Sequence, residues 1–447
     1  VNTVNPTWAI PAAITSNTQA VNAVFHRLEE TDMPDTTRTL SRPFIAGCAF
    51  FALLAFHIQP AEAQTDASAA KLTVSTDFSG GSAVTEAVDQ KKRLIRIRPA
   101  GEKKYGWVCW WYFKVDGIKP GETLTLDVGN GVWATPTRAH FSLDGKMWKQ
   151  TPPGQRHKGR IVYTQKIDGR TAWFAWGPPF VPDDAERLVR SAAKKSRWAK
   201  RFTLCKTRGG RSTPALRVSQ PGVPDEERYG IWIQARQHAW ESGSSWVCKG
   251  FLDWIVSDEA EAIALRKKAT ITIVPIMDID NVARGAGGKN QVPQDHNRDW
   301  SQEPRWRSVA AAQLEIKKLN ADGRFDLFID LHNPGAGVRN PYFYASPDEL
   351  LRTPGQRNLK RFLADAKTEM TAPLAFKGHV QKSGRNYSKL WKHISKNWVM
   401  LNCKPHVVAV TLETAWNTKD STPAGYEHVG CRLGHAIERF FRRNPRN

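Results

Sequence analysis

The chain has 447 residues, 40% of them hydrophobic and 24% charged, which is enough apolar material for two or three packed domains and excludes a disordered chain. Lysine and arginine outnumber aspartate and glutamate by 65 to 43, a formal charge of +22 that favours anionic partners. The basic residues are spread along the chain with no RNP, zinc-finger or helix-turn-helix signature, so no specific nucleic-acid partner is expected.

Residues 33–63 read as a secretory signal: Met33, then Arg38 and Arg42, the apolar run Phe44 to Phe56, and Ala61-Glu62-Ala63 as a small-x-small cleavage site. The apolar run is about 13 residues, short of the roughly 20 that span a bilayer, so no stable membrane insertion is expected after cleavage. Residues 1–32 then read as a non-native upstream extension, and the mature protein is expected to start near Gln64 and to be periplasmic or extracellular. Beyond Cys48, five cysteines remain with no close pair, leaving room for one or two disulfides but for no zinc ribbon.

From residue 72 to about 185, short strands punctuated by Gly and Pro predict an all-β sandwich: Leu94 to Ile97, Trp107 to Val115, Thr123 to Val128, Arg160 to Gln165 and Thr171 to Trp176. The aromatic run from Trp107 to Tyr112 reads as core, and no titratable cluster with catalytic spacing occurs here. Residues 186–201, with Lys194, Lys195, Lys200 and Arg201, read as a basic helical linker.

From 202 to 447 apolar strands alternate with helical segments, which predicts an α/β domain with a mixed, mostly parallel sheet flanked by helices. Four strands, Tyr229 to Ala235, Ala269 to Ile276, Phe325 to Leu331 and His406 to Leu412, lack strict alternation, as central strands covered on both faces do. Three of them run into reactive groups at their carboxyl ends: His238 and Glu241, His332, and Glu413. The carboxyl edge is where open α/β sheets bind ligands, and two histidines with one carboxylate plus a free carboxylate suit a hydrolytic zinc site. His-x-x-Glu alone is weak, since it recurs at His26/Glu29 and His435/Glu438. In the loop after the second strand, Arg298 offers a planar fork for a carboxylate and Asn297 a donor beside it.

In order along the chain, ARQHAWESGSSWV, DHNRDW, FIDLHNPG and VTLETAWN resemble the motifs of zinc metallocarboxypeptidases of the carboxypeptidase A type, within their cytosolic carboxypeptidase-like branch. WWYFKVDGIKPGE and FAWGPPFVPDD are similar to that branch's amino-terminal β-sandwich. The resemblance implies that His238, Glu241 and His332 bind one Zn2+ and that Asp295 orients a ligating histidine. It implies that Asn297 and Arg298 grip the terminal carboxylate of a peptide or protein. Glu413 would take a proton from the attacking water and hand it to the departing amine. Where the family carries an arginine that supports the oxyanion this chain has Gly288, so Lys289 or Arg284 is expected to substitute. Tyr387 is the candidate for the family's closing tyrosine. Asn333 and Pro334 replace the branch's usual Gly-His. The expected activity is release of the C-terminal residue, with acidic ends favoured as in that branch. An amidase acting on cell-wall stem peptides or acyl amino acids, and a non-catalytic peptide- or polymer-binding protein, are the alternatives.

Overall fold

The computed structural model describes residues 71–129 and 135–445; the expected upstream extension and signal, with Cys48 and the His26/Glu29 pair, lie outside them. The first strands are β1 (Thr73–Ser75), β2 (Val84–Asp89), β3 (Leu94–Arg98), β4 (Tyr112–Asp116) and β5 (Glu122–Gly129). β6 (His140–Ser142), β7 (Lys149–Gln150), β8 (Gln155–His157), β9 (Arg160–Ile167) and β10 (Thr171–Ala175) follow. They form two sheets, ordered β1-β4-β10-β6-β7 and β2-β3-β5-β9-β8. Ile95, Ile97, Leu124, Leu126, Trp111, Phe113 and Phe174 fill the space between them with fully buried apolar side chains. The strand expected from Trp107 begins only at Tyr112, because residues 104–107 leave the sandwich to bond with the next domain.

Next come α1 (Pro182–Lys195), β11 (Ala199–Lys206), β12 (Ser212–Val218), β13 (Tyr229–Ala235), α2 (Ser242–Ile255), α3 (Ala260–Lys268) and β14 (Ala269–Val274). The chain continues through α4 (Ile279–Arg284), α5 (Arg307–Ala321), β15 (Phe325–His332), β16 (Tyr342–Ala345), α6 (Thr353–Glu369), β17 (Val380–Lys382), α7 (Ser395–Asn402), β18 (Val408–Glu413) and α8 (Pro423–Arg443). The eight-stranded sheet runs β11-β12-β14-β13-β15-β18-β16-β17, and its four middle strands, β14-β13-β15-β18, are parallel.

Side-chain alternation sorts its two faces. Ile231, Ile233, Leu327, Ile329 and Val410 point to α2, α6 and α8, while Trp232, Phe328 and Ala409 point to α5 and α7. Burial on both faces explains why these strands read as unbroken apolar runs. The expected linker at 186–201 is instead structural. α1 buries Ala185, Leu188, Val189 and Ala192, and β11 is the sheet's edge strand. Its lysines and arginines occupy only the outer face of that helix and strand, so composition masked a packed amphipathic element. All five described cysteines are free, so the room that the sequence leaves for one or two disulfides is not used among them. No helix among the described residues is long and apolar enough to cross a membrane.

Candidate metal centre and active site

β13 ends at Ala235, and Arg236 turns the chain with φ 66°, a left-handed conformation uncommon outside glycine. Its buried guanidinium secures the turn by donating to Ala239 O at 2.8 Å and Phe180 O at 3.1 Å. The turn delivers His238 and places Glu241 at the N-cap of α2. β15 carries His332 at its carboxyl end, in register with Glu413 at the end of the neighbouring β18.

The expected ligands converge. One Glu241 carboxylate oxygen lies 2.7 Å from His238 Nδ1 and the other 2.7 Å from His332 Nδ1, all three residues being buried. The far side of each ring faces a carboxylate: His238 Nε2 is 3.2 Å from Asp295 Oδ1, and His332 Nε2 is 3.0 Å from Asp330 Oδ2. Nε2–H donated outward turns both Nδ1 lone pairs toward Glu241. In that tautomer two lone pairs and a carboxylate are gathered at one point, a donor set that fits a zinc ion held between them. Burial alone would push the Glu241 carboxyl up, but positive charge on the imidazoles on either side pulls it down to about 2, so the pocket favours a carboxylate facing a cationic centre.

Asp330 is a central brace that the motif reading passed over. Besides facing His332, it accepts from Gln237 Nε2 at 2.5 Å and Ser395 Oγ at 2.7 Å, and Gln237 Oε1 accepts from Trp300 Nε1 at 2.8 Å. The signal was available, because residues two apart on a strand share a face and Asp330 stands two before His332. Asp295, the expected orienter, accepts from Asn297 N at 2.8 Å and Asn290 N at 3.0 Å. Its burial is outweighed by His238 and Lys289, which hold the carboxyl well below its ordinary range.

Glu413, Lys289, Asn297, Arg298 and Tyr387 all line the same cleft as the three donors. Burial, reinforced by the Glu241 charge, pushes the Glu413 carboxyl up to about 7, and its Oε2 is buried without a hydrogen-bond partner. Lys289 Nζ lies 3.3 Å from His238 Nε2 and 3.8 Å from Asp295 Oδ2. Arg284 is directed elsewhere, donating to Asn281 Oδ1 at 2.6 Å and lying 4.0 Å over the Tyr105 ring, so of the two expected substitutes it is Lys289 that lines the cleft. Asn297 Oδ1 accepts from Ser395 N at 3.0 Å, and its Nδ2 lies 3.2 Å from His332 Nε2. Arg298 is braced on Asn297 O at 2.8 Å and Ser388 Oγ at 3.3 Å, with its guanidinium 5.5 Å from the Tyr387 ring centre. Tyr387 is 46% exposed and stands at the rim, its ring centre 5.2 Å from that of Tyr344.

Sequence reasoning missed two further features of the cleft. Lys396 in α7 is fully buried, donates to Ser383 Oγ at 2.6 Å and Asn397 Oδ1 at 2.7 Å, and is held well below its ordinary range by burial and by Arg298. Trp107 of the sandwich and Trp416, whose Nε1 donates to Pro334 O at 2.6 Å, supply walls. The dismissed His435/Glu438 pair stays outside the site, since His435 faces Glu259 at 3.4 Å and Glu438 pairs with Arg442.

Residues 186–424 match the zinc carboxypeptidase family, and residues 74–176 match the cytosolic carboxypeptidase N-terminal domain. The chain belongs to the zinc carboxypeptidases. It is a metallopeptidase whose cofactor is zinc and whose His238, Glu241 and His332 form a donor set for one ion. Among relatives of this carboxypeptidase, an uncharacterised protein of Zymomonas mobilis is 28% identical over 273 residues, 59% of this chain and 68% of that one. Cytosolic carboxypeptidase 2 of Xenopus tropicalis is 25% identical over 256 residues, 50% of this chain but 26% of that protein, so only about a quarter of the latter is represented here. The fold is shared with a metallo-carboxypeptidase of Burkholderia cenocepacia (TM-score 0.72, 18% identity, covering 83% of this chain and 99% of that one). It is also shared with a Pseudomonas aeruginosa metallo-carboxypeptidase solved with (2-guanidinoethylmercapto)succinic acid (TM-score 0.70, 22% identity, covering 84% and 100%).

Proposed function

We propose that this carboxypeptidase removes single residues from the C-termini of peptides or proteins and favours acidic ones. The observation that carries the preference is Lys396. An ammonium buried in the cleft wall with only neutral hydrogen-bond partners is costly. A carboxylate on the substrate's terminal side chain would compensate that cost, and an apolar one would not. The overall charge of +22 helps to gather acidic chains.

Arg298, braced by Asn297 O and Ser388, grips the terminal α-carboxylate with its planar fork, and Tyr387 closes over it. Bound zinc supplies Lewis-acid polarisation of the scissile carbonyl and activation of water. Glu413 holds the proton of the attacking water on its otherwise unpartnered Oε2 and releases it to the departing amine. Lys289 sets a positive charge beside the carbonyl oxygen as negative charge grows there. Asp295 and Asp330 keep the two imidazoles aimed throughout.

A peptide library varied at its last residue, followed by mass spectrometry, tests this reading. Loss of one residue, abolished by chelator and by Glu413→Gln, is expected, with Asp and Glu released fastest. Lys396→Met should lower kcat/KM for acidic ends about 100-fold, the scale of losing a buried charge partner, and leave apolar ends within a few-fold. Intact peptides together with cleaved murein fragments would point to an amidase instead. On the pattern of residues 33–63 we also propose export; detection only in the cytosol, with no processed amino terminus near Gln64, would overturn that.

A further inference from the structure

We infer that the β-sandwich completes the active site by clamping the loop that carries Lys289, with the turn Lys104 to Trp107 as the positioning element; the inference rests on the carboxypeptidase reading above. Lys289 follows Gly285-Ala286-Gly287-Gly288, a run with almost no side chains of its own to fasten it. Such a segment has the greatest backbone freedom to lose, and a lysine adds a flexible four-carbon stem where an arginine would bring a preorganised fork. An ammonium placed this way needs restraint from outside the loop.

The sandwich supplies it. Trp107 N donates to Lys289 O at 2.9 Å, Gly288 N to Tyr105 O at 2.8 Å, and Val292 N to Lys104 O at 2.8 Å, so the two segments run side by side like a short ladder. Contact is backbone to backbone. A Cβ on Gly106, whose φ is 98°, would lie 2.6 Å from Gly288 N and Lys289 O, and one on Gly287 would lie 2.0 Å from Trp107 O. At the loop's entry the Tyr105 ring packs against Arg284. On the opposite side the loop is tied to the metal centre, with Trp240 N donating to Gly287 O at 3.1 Å and Asn290 N to Asp295 Oδ2 at 3.0 Å. The Lys289 side chain is only 16% exposed, and its ammonium sits 3.3 Å from His238 Nε2. Removing one such group at a developing oxyanion costs about 10²–10³ in kcat, and a shift of about 1 Å in a positioned group costs about 10².

The test uses the whole chain loaded with zinc and compares Lys289→Met, Gly106→Ala and Tyr105→Ala singly, and each sandwich variant combined with Lys289→Met. Melting curves and zinc content confirm folding. Steady-state kinetics are measured alongside calorimetric affinity for a phosphonate peptide, whose anionic oxygens mimic the tetrahedral addition product. Lys289→Met should lower kcat about 100-fold with KM within about threefold. Gly106→Ala and Tyr105→Ala should lower kcat and phosphonate affinity in the same sense, and neither should add to the Lys289→Met loss. Multiplying losses, or folded sandwich variants with the kcat and phosphonate affinity of the parent, would overturn the clamp. Should Gly106→Ala fail to fold, Tyr105→Ala decides. A parent that cleaves no peptide sinks the carboxypeptidase reading alone, and phosphonate affinity then decides the clamp.

Discussion

At the scale of single residues the site depends on paired carboxylates. Asp295 and Asp330 stand behind the two histidines and fix which ring nitrogen carries the proton, an arrangement that raises ligand basicity. Asp330→Asn is therefore expected to weaken zinc binding about 10- to 100-fold while sparing the fold, as read by competition with a chromogenic chelator. Unchanged affinity would show that Gln237 and Ser395 hold His332 without it. The motifs made His238, Glu241, His332, Glu413 and the Asn297–Arg298 pair legible in the sequence, because each closes a strand or fills a short spacing. Lys396 was not legible. In Ser395-Lys396-Asn397-Trp398 it has the look of an ordinary polar helix residue, and only the packing of α7 under the cleft reveals that it is buried.

At the scale of elements, β13, β14, β15 and β18 could be read directly, since strands covered on both faces must be apolar throughout. β11 and β16 could not. One is a basic edge strand, and the other is four residues long and recognisable only by its pairing with β18. The close contact of α2 with α8 was equally hidden, because it depends on what glycine lacks. A Cβ at Gly430 would meet Val247 O at 2.0 Å, and one at Gly250 would meet Glu427 O at 2.0 Å. Since α2 begins directly after Glu241, Gly430→Ala should both destabilise the fold by about 1–3 kcal/mol and loosen metal retention. Denaturant melts and chelator competition read these together, and a stability loss with unaltered metal retention would uncouple the helix from the site.

At the scale of the whole molecule, the sandwich and the sheet domain lie within one compact unit, 66–447. Besides the clamp on Lys289, the seam contains Trp176 packed 4.3 Å from Trp416 and Thr137 N donating to Asn417 Oδ1 at 2.7 Å. His140 of β6 is buried there with Nε2 3.1 Å from Ser421 O. Burial depresses its pKa from 6.5 to about 4, the two backbone carbonyls near it opposing only in part. The unfolded chain thus binds a proton that the folded one refuses, and stability falls as pH drops from 6.5 toward 4, by about 3 kcal/mol at most. His140→Gln should flatten that part of the stability-pH curve. An unaltered slope would assign the acid sensitivity to other groups.

The order in which these parts occur along the chain has a consequence for synthesis. The sandwich, the loop with Lys289 and all three metal donors precede β18, and Glu413 closes that strand. A ribosome thus finishes the metal donors, the Lys289 loop and the Asn297–Arg298 pair before it adds the proposed base, while the cleft wall Trp416 and α8, against which α2 packs, come later still. A nascent chain interrupted before β18 would carry a complete set of zinc donors and no means of moving the proton. Such a truncated product is expected to take up zinc without cleaving peptides.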